Sequence, residues 1–161
     1  MARHTFFSFH YQRDVWKASN IRNSGIVTGA AAAGFHDASL WEEAKKKGDA
    51  AIKKLIDDAL VGTSVTAVLI GAETASRKYV NYEIEKSIDR GNGILGIHIY
   101  NMKDKNGNTE MPGSVPRKLT EGGFSVYTWD RDKFGEWVED AYQQAQQKKA
   151  REAQRKSLYG W

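Results

Sequence analysis

The 161 residues, 40% of them hydrophobic, suit a single domain able to bury a core, and the absence of cysteine excludes disulfides, thiolate metal sites and a cysteine nucleophile. No stretch reaches the roughly 20 apolar residues of a membrane span and no basic region followed by an apolar core opens the sequence, so a cytosolic protein is expected. The formal charge of +4 gathers near the end, where Lys148, Lys149, Arg151, Arg155 and Lys156 outnumber Glu152; without interleaved aromatics this basic stretch reads as a solvated helix end, not as a groove for nucleic acid.

Thr5 to Phe9 is an aromatic and β-branched run that predicts a first strand, and Tyr11 to Asn20 carries Val15, Trp16 and Ala18 at roughly helical spacing. Arg22 to Gly34 is rich in Asn, Ser, Gly and Ala and predicts a long loop around a short strand at Ile26 to Thr28, with Phe35 to Trp41 continuing the connection. Gly48 to Leu60 repeats apolar residues at three and four, with Lys53, Lys54, Asp57 and Asp58 outward, which predicts an amphipathic helix. Ser64 to Ile70 and Ile94 to Tyr100 are nearly continuous apolar runs, as strands covered on both faces are. Between them lies the run ASRKYVNYEIEKSIDRG, a helix closed by Gly91 and Gly93. Val80, Ile84 and Ile88 are placed toward the sheet and Ser76, Tyr79 and Glu83 on a neighbouring stripe, which puts the Glu83 carboxylate at the rim.

Asn101 to Gly123 holds both prolines and reads as a long irregular loop, Ser125 to Trp129 as a last strand. Asp130 is placed to cap a final helix with Phe134, Trp137, Val138 and Ala141 inward, and Leu158, Tyr159 and Trp161 to dock the tail. Alternating strands and helices predict one α/β domain over 1–161, a three-layer sandwich around a mostly parallel sheet of about five strands.

The turn after the first strand, Phe9-His10-Tyr11-Gln12-Arg13-Asp14, contains no glycine, and no phosphate loop ending in Gly-Lys-Ser/Thr occurs, which argues against a dehydrogenase or an NTPase. His4, His10, His36 and His98 lie in separate segments without paired ligand spacing, and Asp104, Asn106 and Asn108 lack the glutamate that closes a calcium loop, so no metal is expected. In a doubly wound fold the ends of the first strand and of the second connection meet the start of the Glu83 helix. That would bring His10 and Tyr11, then Asp37, Ser39 and Trp41, to one crevice with Glu83. Each residue also has a plain structural reading: rim positions for His10 and Tyr11, a capping box for Ser39 with Glu42, core for Trp41, and a solvated carboxylate for Glu83.

The segments FFSFHYQRDVW, FHDASLWEEA and SRKYVNYEIEKSIDRGNGILGIHIY together resemble the TIR domain family, most closely its TIR-like ThsB branch in the bacterial Thoeris anti-phage system, from about Thr5 to Tyr100. The resemblance implies a flavodoxin-like fold and an enzyme that cleaves NAD+, as substrate and with no cofactor, at the nicotinamide–ribose bond. It further implies a cyclic ADP-ribose isomer as a diffusible signal to a partner effector, ThsA, and activity as a homo-oligomer. The family's catalytic glutamate falls on Glu83, its aromatic turn on Phe9, His10 and Tyr11, and its loop acid on Asp37, with Trp41, Ser76 and Tyr79 as further substrate contacts. Many of these enzymes carry basic residues where this chain has His10 and Tyr11, which leaves Arg22, Arg77 or Lys78 to hold the diphosphate. A non-catalytic adaptor that acts by assembly, and a nucleic-acid module using the basic tail, are the other readings.

Overall fold

The computed structural model of the chain describes residues 3–27 and 38–159, the side chains of 38–41 excepted. Four parallel strands, β1 (Thr5–Ser8), β2 (Val65–Ile70), β3 (Gly93–His98) and β4 (Val126–Thr128), lie side by side in chain order. The helices are α1 (Tyr11–Asn23), α2 (Ala38–Lys47), α3 (Asp49–Leu60), α4 (Lys78–Arg90), α5 (Arg117–Glu121) and α6 (Arg131–Tyr159). Alternation along the strands divides the core. Phe7, Ala67, Leu69, Leu95 and Ile97 meet α1 and α6 on one face, while Phe6 meets α3, and Val68, Ile70 and Ile94 meet α4 and α5 on the other. Burial of both faces explains why these strands read as continuous apolar runs. Among the described residues no helix is long and apolar enough to cross a membrane.

Several expectations give way. Ile26 and Val27 form a bend, and Thr28 lies outside the described residues, so the described sheet has four strands rather than five. Val27 is nevertheless buried against the α1 and α6 layer, an apolar anchor without strand pairing. Ser39 and Trp41 fall inside α2, not in a connection. The stretch 101–123 is interrupted by α5, whose Leu119 plugs the core. In α1 the buried positions are Asp14, Lys17, Ala18 and Ile21, and Trp16 faces outward. α6 runs on to Tyr159 with Leu158 69% exposed, so those two tail residues do not dock, and Trp161 lies outside the described residues.

Local chemistry accounts for the element ends that frame the site. Gly91 closes α4 at φ 77°, a left-handed conformation that glycine adopts without a Cβ penalty. The Oδ1 of Asp130 accepts the backbone N–H of Asp132 at 3.0 Å and caps α6. Asp104 Oδ1 accepts the N–H groups of Asn106 and Asn108, so that segment is a side-chain-stabilised turn. At Gly93 the backbone of α6 crosses so closely that a Cβ would stand 2.4 Å from the Ala141 carbonyl oxygen. The carboxyl ends of β1 and β2, with the starts of α1 and α4, leave an opening between layers.

Candidate active site

That opening is a cleft of about 420 Å³ lined by Phe9, His10, Tyr11 and Gln12 from the end of β1 and the first turn of α1, and by Ser76, Arg77, Lys78, Tyr79, Val80 and Glu83. Lys45 of α2 and Ile52 of α3 complete the wall. Six residues singled out in the sequence, Phe9, His10, Tyr11, Ser76, Tyr79 and Glu83, therefore share one surface. Asp37 and the Trp41 side chain lie outside the described residues, Trp41 having its backbone in α2.

The turn from β2 into α4 is locked by side chains. Thr74 Oγ1 accepts the Gly71 N–H at 2.8 Å and contacts the Leu69 carbonyl, and the Asn81 amide donates to the carbonyls of Ala75 and Arg77. Asp49, at the start of α3, fastens the first turn of α4. It receives the Lys78 ammonium and the Tyr79 hydroxyl, each at 2.8 Å, and its carboxyl is held well below the usual range by those hydrogen bonds and by Lys53. Phe9 and Tyr11 stack at 6.2 Å between ring centres and stiffen the opposite wall.

Glu83 is not the rim carboxylate that its sequence stripe suggested. It is 6% exposed, and its Oε1 accepts a hydrogen bond from the buried Ser8 hydroxyl at 3.1 Å. At about 100° per residue, the buried positions Val80, Glu83, Ile84 and Ser87 span an arc of about 100° centred between Val80 and Ser87. Glu83 closes one side of that arc and Ile88, 38% exposed, falls beyond the other, so the helix is rotated from an apolar-only reading. Desolvation pushes the Glu83 carboxyl from its ordinary 4.5 to about 8, against a smaller opposing pull from Ser8. At neutral pH that value favours a protonated carboxyl at the base of the cleft.

His10 stands at the N-cap of α1 and makes no side-chain cap; both its ring nitrogens are buried without a hydrogen-bond partner among the described residues. Burial first, then Arg77, lowers its pKa and keeps the imidazole neutral. Arg77 occupies the N-cap of α4, likewise without a side-chain cap, and makes no ion pair among the described residues. Of the three cations considered for an anionic ligand, Arg77 and Lys78 line the cleft, and Lys78 is already paired to Asp49. Arg22 sits in the last turn of α1, at the far end from the cleft.

Three contributors were not singled out from the sequence. Ser8 was signalled by its place inside the apolar strand Phe6-Phe7-Ser8-Phe9, where a hydroxyl needs a partner. Lys45 and Gln12 carry no such signal. Behind the cleft, Asp14 is fully buried in the first turn of α1 against Gly71, with neither carboxylate oxygen hydrogen-bonded among the described residues. Burial and then the nearby Glu110 push it up to about 6. Lys17 and Arg13 bridge from the same helix to Glu110, and Lys17 also reaches the Ile99 carbonyl, tying α1 to the segment after β3.

The family described as "Thoeris protein ThsB, TIR-like domain" matches residues 6–104, which run from β1 past β3 and include every cleft residue named above. The chain is also 44% identical over 146 residues, 85% of its length and 76% of the relative's, to a protein of Bacillus cereus (strain MSX-D12) named "Putative cyclic ADP-D-ribose synthase ThsB1".

Proposed function

This chain belongs to the TIR-like domain family of the Thoeris protein ThsB, and from that premise we propose that it cleaves NAD+ at the nicotinamide–ribose bond and closes the resulting ADP-ribose into a cyclic isomer. The name of the Bacillus cereus relative supports the class of product. The observation that carries the reading is Glu83, one buried carboxyl at the base of an aromatic-walled cleft, oriented by Ser8.

Departure of neutral nicotinamide leaves an oxocarbenium-like ribose, and an anion beside it stabilises the developing charge more strongly in a desolvated cleft than in water. A carboxyl raised to about 8 is neutral when the cleft is empty and becomes ionised as the pyridinium of NAD+ arrives, because a nearby cation favours the charged form. Arg77, at the uncapped start of α4, is the cation we assign to the diphosphate, with Lys45 across the cleft. Phe9, Tyr11 and Tyr79 supply faces for the nicotinamide and ribose, and Ser76 a hydroxyl near the mouth. Trp41 and Asp37 belong to the proposed site as substrate contacts from the sequence alone. A walled cleft favours an internal nucleophile over water, which turns cleavage into ring closure. We assign the product the role of a diffusible messenger to the effector ThsA, and the active form a homo-oligomer.

The test is Glu83→Gln, which keeps the shape and an acceptor for Ser8. Nicotinamide release and cyclic product, read by chromatography and mass spectrometry from purified protein and from phage-challenged cells, should fall about a hundredfold or more. Full turnover by the variant would refute the assignment. Wild type that yields no nicotinamide in either setting would instead favour an adaptor in which the same surfaces mediate assembly.

A further inference from the structure

We propose that His10 is a second catalytic residue, the proton acceptor for the oxygen nucleophile that captures the ribose after nicotinamide has left. This rests on the reading above and extends it to a second residue. His10 is two residues beyond Ser8, the hydroxyl that orients Glu83, and both histidine and glutamate line the same cleft. Its ring nitrogens have no partner among the described residues, whereas Ser8, Thr74 and Tyr79 around the cleft are hydrogen-bonded. A half-buried imidazole whose covered nitrogens lack a partner among the described residues is an acceptor waiting for a ligand's O–H.

Its position strengthens this. At the N-cap of α1, Asn, Asp or Ser would satisfy a free backbone N–H, and histidine does not. The charged groups around it are arranged for a neutral ring. Arg77 from the start of α4 and Arg13 from α1 disfavour the imidazolium, and Glu73, from the turn after β2, opposes them while bound to Arg13. Of the other cations on the cleft wall, Lys78 is paired to Asp49 and Lys45 to Glu42, and Glu83 is the acid at its base.

The chemistry divides between the two residues. The C–N bond breaks with its electron pair on nicotinamide, and Glu83 faces the cation. A ribose hydroxyl or water then forms a C–O bond through an oxygen lone pair, and its proton passes to a His10 ring nitrogen, from which solvent removes it. Return of nicotinamide to the same cation involves no proton, so exchange of free for bound nicotinamide needs Glu83 and not His10.

The experiment uses the full chain with NAD+ and isotopically labelled nicotinamide, as purified protein and in extracts of phage-challenged cells. It compares wild type, His10→Asn and His10→Gln. His10→Asn should not lower the melting temperature, since asparagine is a favoured N-cap. Cyclic and linear products together should fall about a hundredfold, and the ratio of label exchange to product should rise at least about tenfold over wild type. In wild type, log kcat/KM should rise with pH at a slope of one below the Glu83 pKa of about 8 and steepen to two on the acid side of the lowered His10 pKa; the asparagine variant should keep a slope of one there. Exchange and product falling together would mean that His10 only shapes the cleft, and would overturn the proposal. Product unchanged in both variants would place the acceptor elsewhere or make the nucleophile a nitrogen, and would overturn it too. Absence of both exchange and nicotinamide release from wild type would overturn the NAD+ reading itself, and this inference with it.

Discussion

Replacing Glu83 by glutamine should make the protein more stable, by an amount set by pH. The carboxyl is buried and carries a pKa of about 8 in the fold against an ordinary 4.5. Between these values the folded chain keeps a proton that the unfolded chain has lost. Stability of the wild type therefore falls as pH rises, by about 1.4 kcal/mol per pH unit, and levels off above pH 8. The accumulated penalty is about 3 kcal/mol at pH 7 and about 5 kcal/mol above pH 8, relative to a neutral group of the same shape. Glutamine retains an oxygen for the Ser8 hydroxyl and never ionises. Urea unfolding of both proteins at pH 5, 7 and 8.5 should give curves nearly coincident at pH 5 and increasingly separated above it, at constant m-value. A separation that is the same at pH 5 and pH 8.5, or a variant less stable at every pH, would refute the claim that the buried carboxyl is held neutral.

Asp14→Asn tests the same physics on the other face of the sheet edge. With a folded pKa near 6 against 3.8, the wild-type carboxylate loses stability as pH rises through this window, so the variant should gain up to about 3 kcal/mol at pH 7 and nothing below pH 4, read by denaturant titration. Gly93→Ala should destabilise by about 1–3 kcal/mol, because its methyl would meet the Ala141 carbonyl of α6; the unfolding midpoint is the measurement. Ending the chain after Gln147 should change stability by less than about 0.5 kcal/mol, since every described residue beyond it is exposed. The same truncation should leave nicotinamide release intact, which thermal melts and the NAD+ assay check together.

Periodicity located the strands and the α3, α4 and α6 helices because burial on one or two faces writes itself into the spacing of apolar residues. It misjudged Glu83 for the same reason. A stripe drawn through Val80, Ile84 and Ile88 counts only apolar residues, and α4 buries a carboxyl and the Ser87 hydroxyl within its inward arc while exposing Ile88. The polar partners of that arc, Ser8 for Glu83 and Thr66 for Ser87, sit 75 and 21 residues away, beyond the reach of local pattern. α2 was hidden by its Asn, Gly and Ala-rich approach, and α5 by flanking proline and glycine. Lys45 joins the cleft only because α2 folds back over α3, a tertiary event without a local signature. Catalytic assignment to Glu83 came from resemblance, and the cleft came from the fold.

Three choices along one cleft work against the fold. Glu83 buries an ionisable group, His10 occupies a helix N-cap without capping it, and Arg77 does the same on α4 while adding a like charge to the positive end of that helix. Elsewhere Asp130 caps α6 with its own carboxylate and Gly91 closes α4 in the left-handed conformation, while Asp14, behind the cleft, is a further buried carboxyl without a partner among the described residues. Deviations gathered along one cleft are what ligand chemistry produces. Their signs agree with the proposed substrate. The cleft presents Arg77 without an ion pair among the described residues, a neutral imidazole and a neutral carboxyl, so on the proposed reading it attracts the diphosphate first. Under the proposed function, entry of the pyridinium would then ionise Glu83, placing the negative charge beside the ribose only when there is a positive charge to meet it. Binding of NAD+ at pH 7 should therefore release close to one proton, measurable by calorimetry in buffers of different ionisation enthalpy. Glu83→Gln should release none, and equal release by both proteins would show that the carboxyl is not the group that responds.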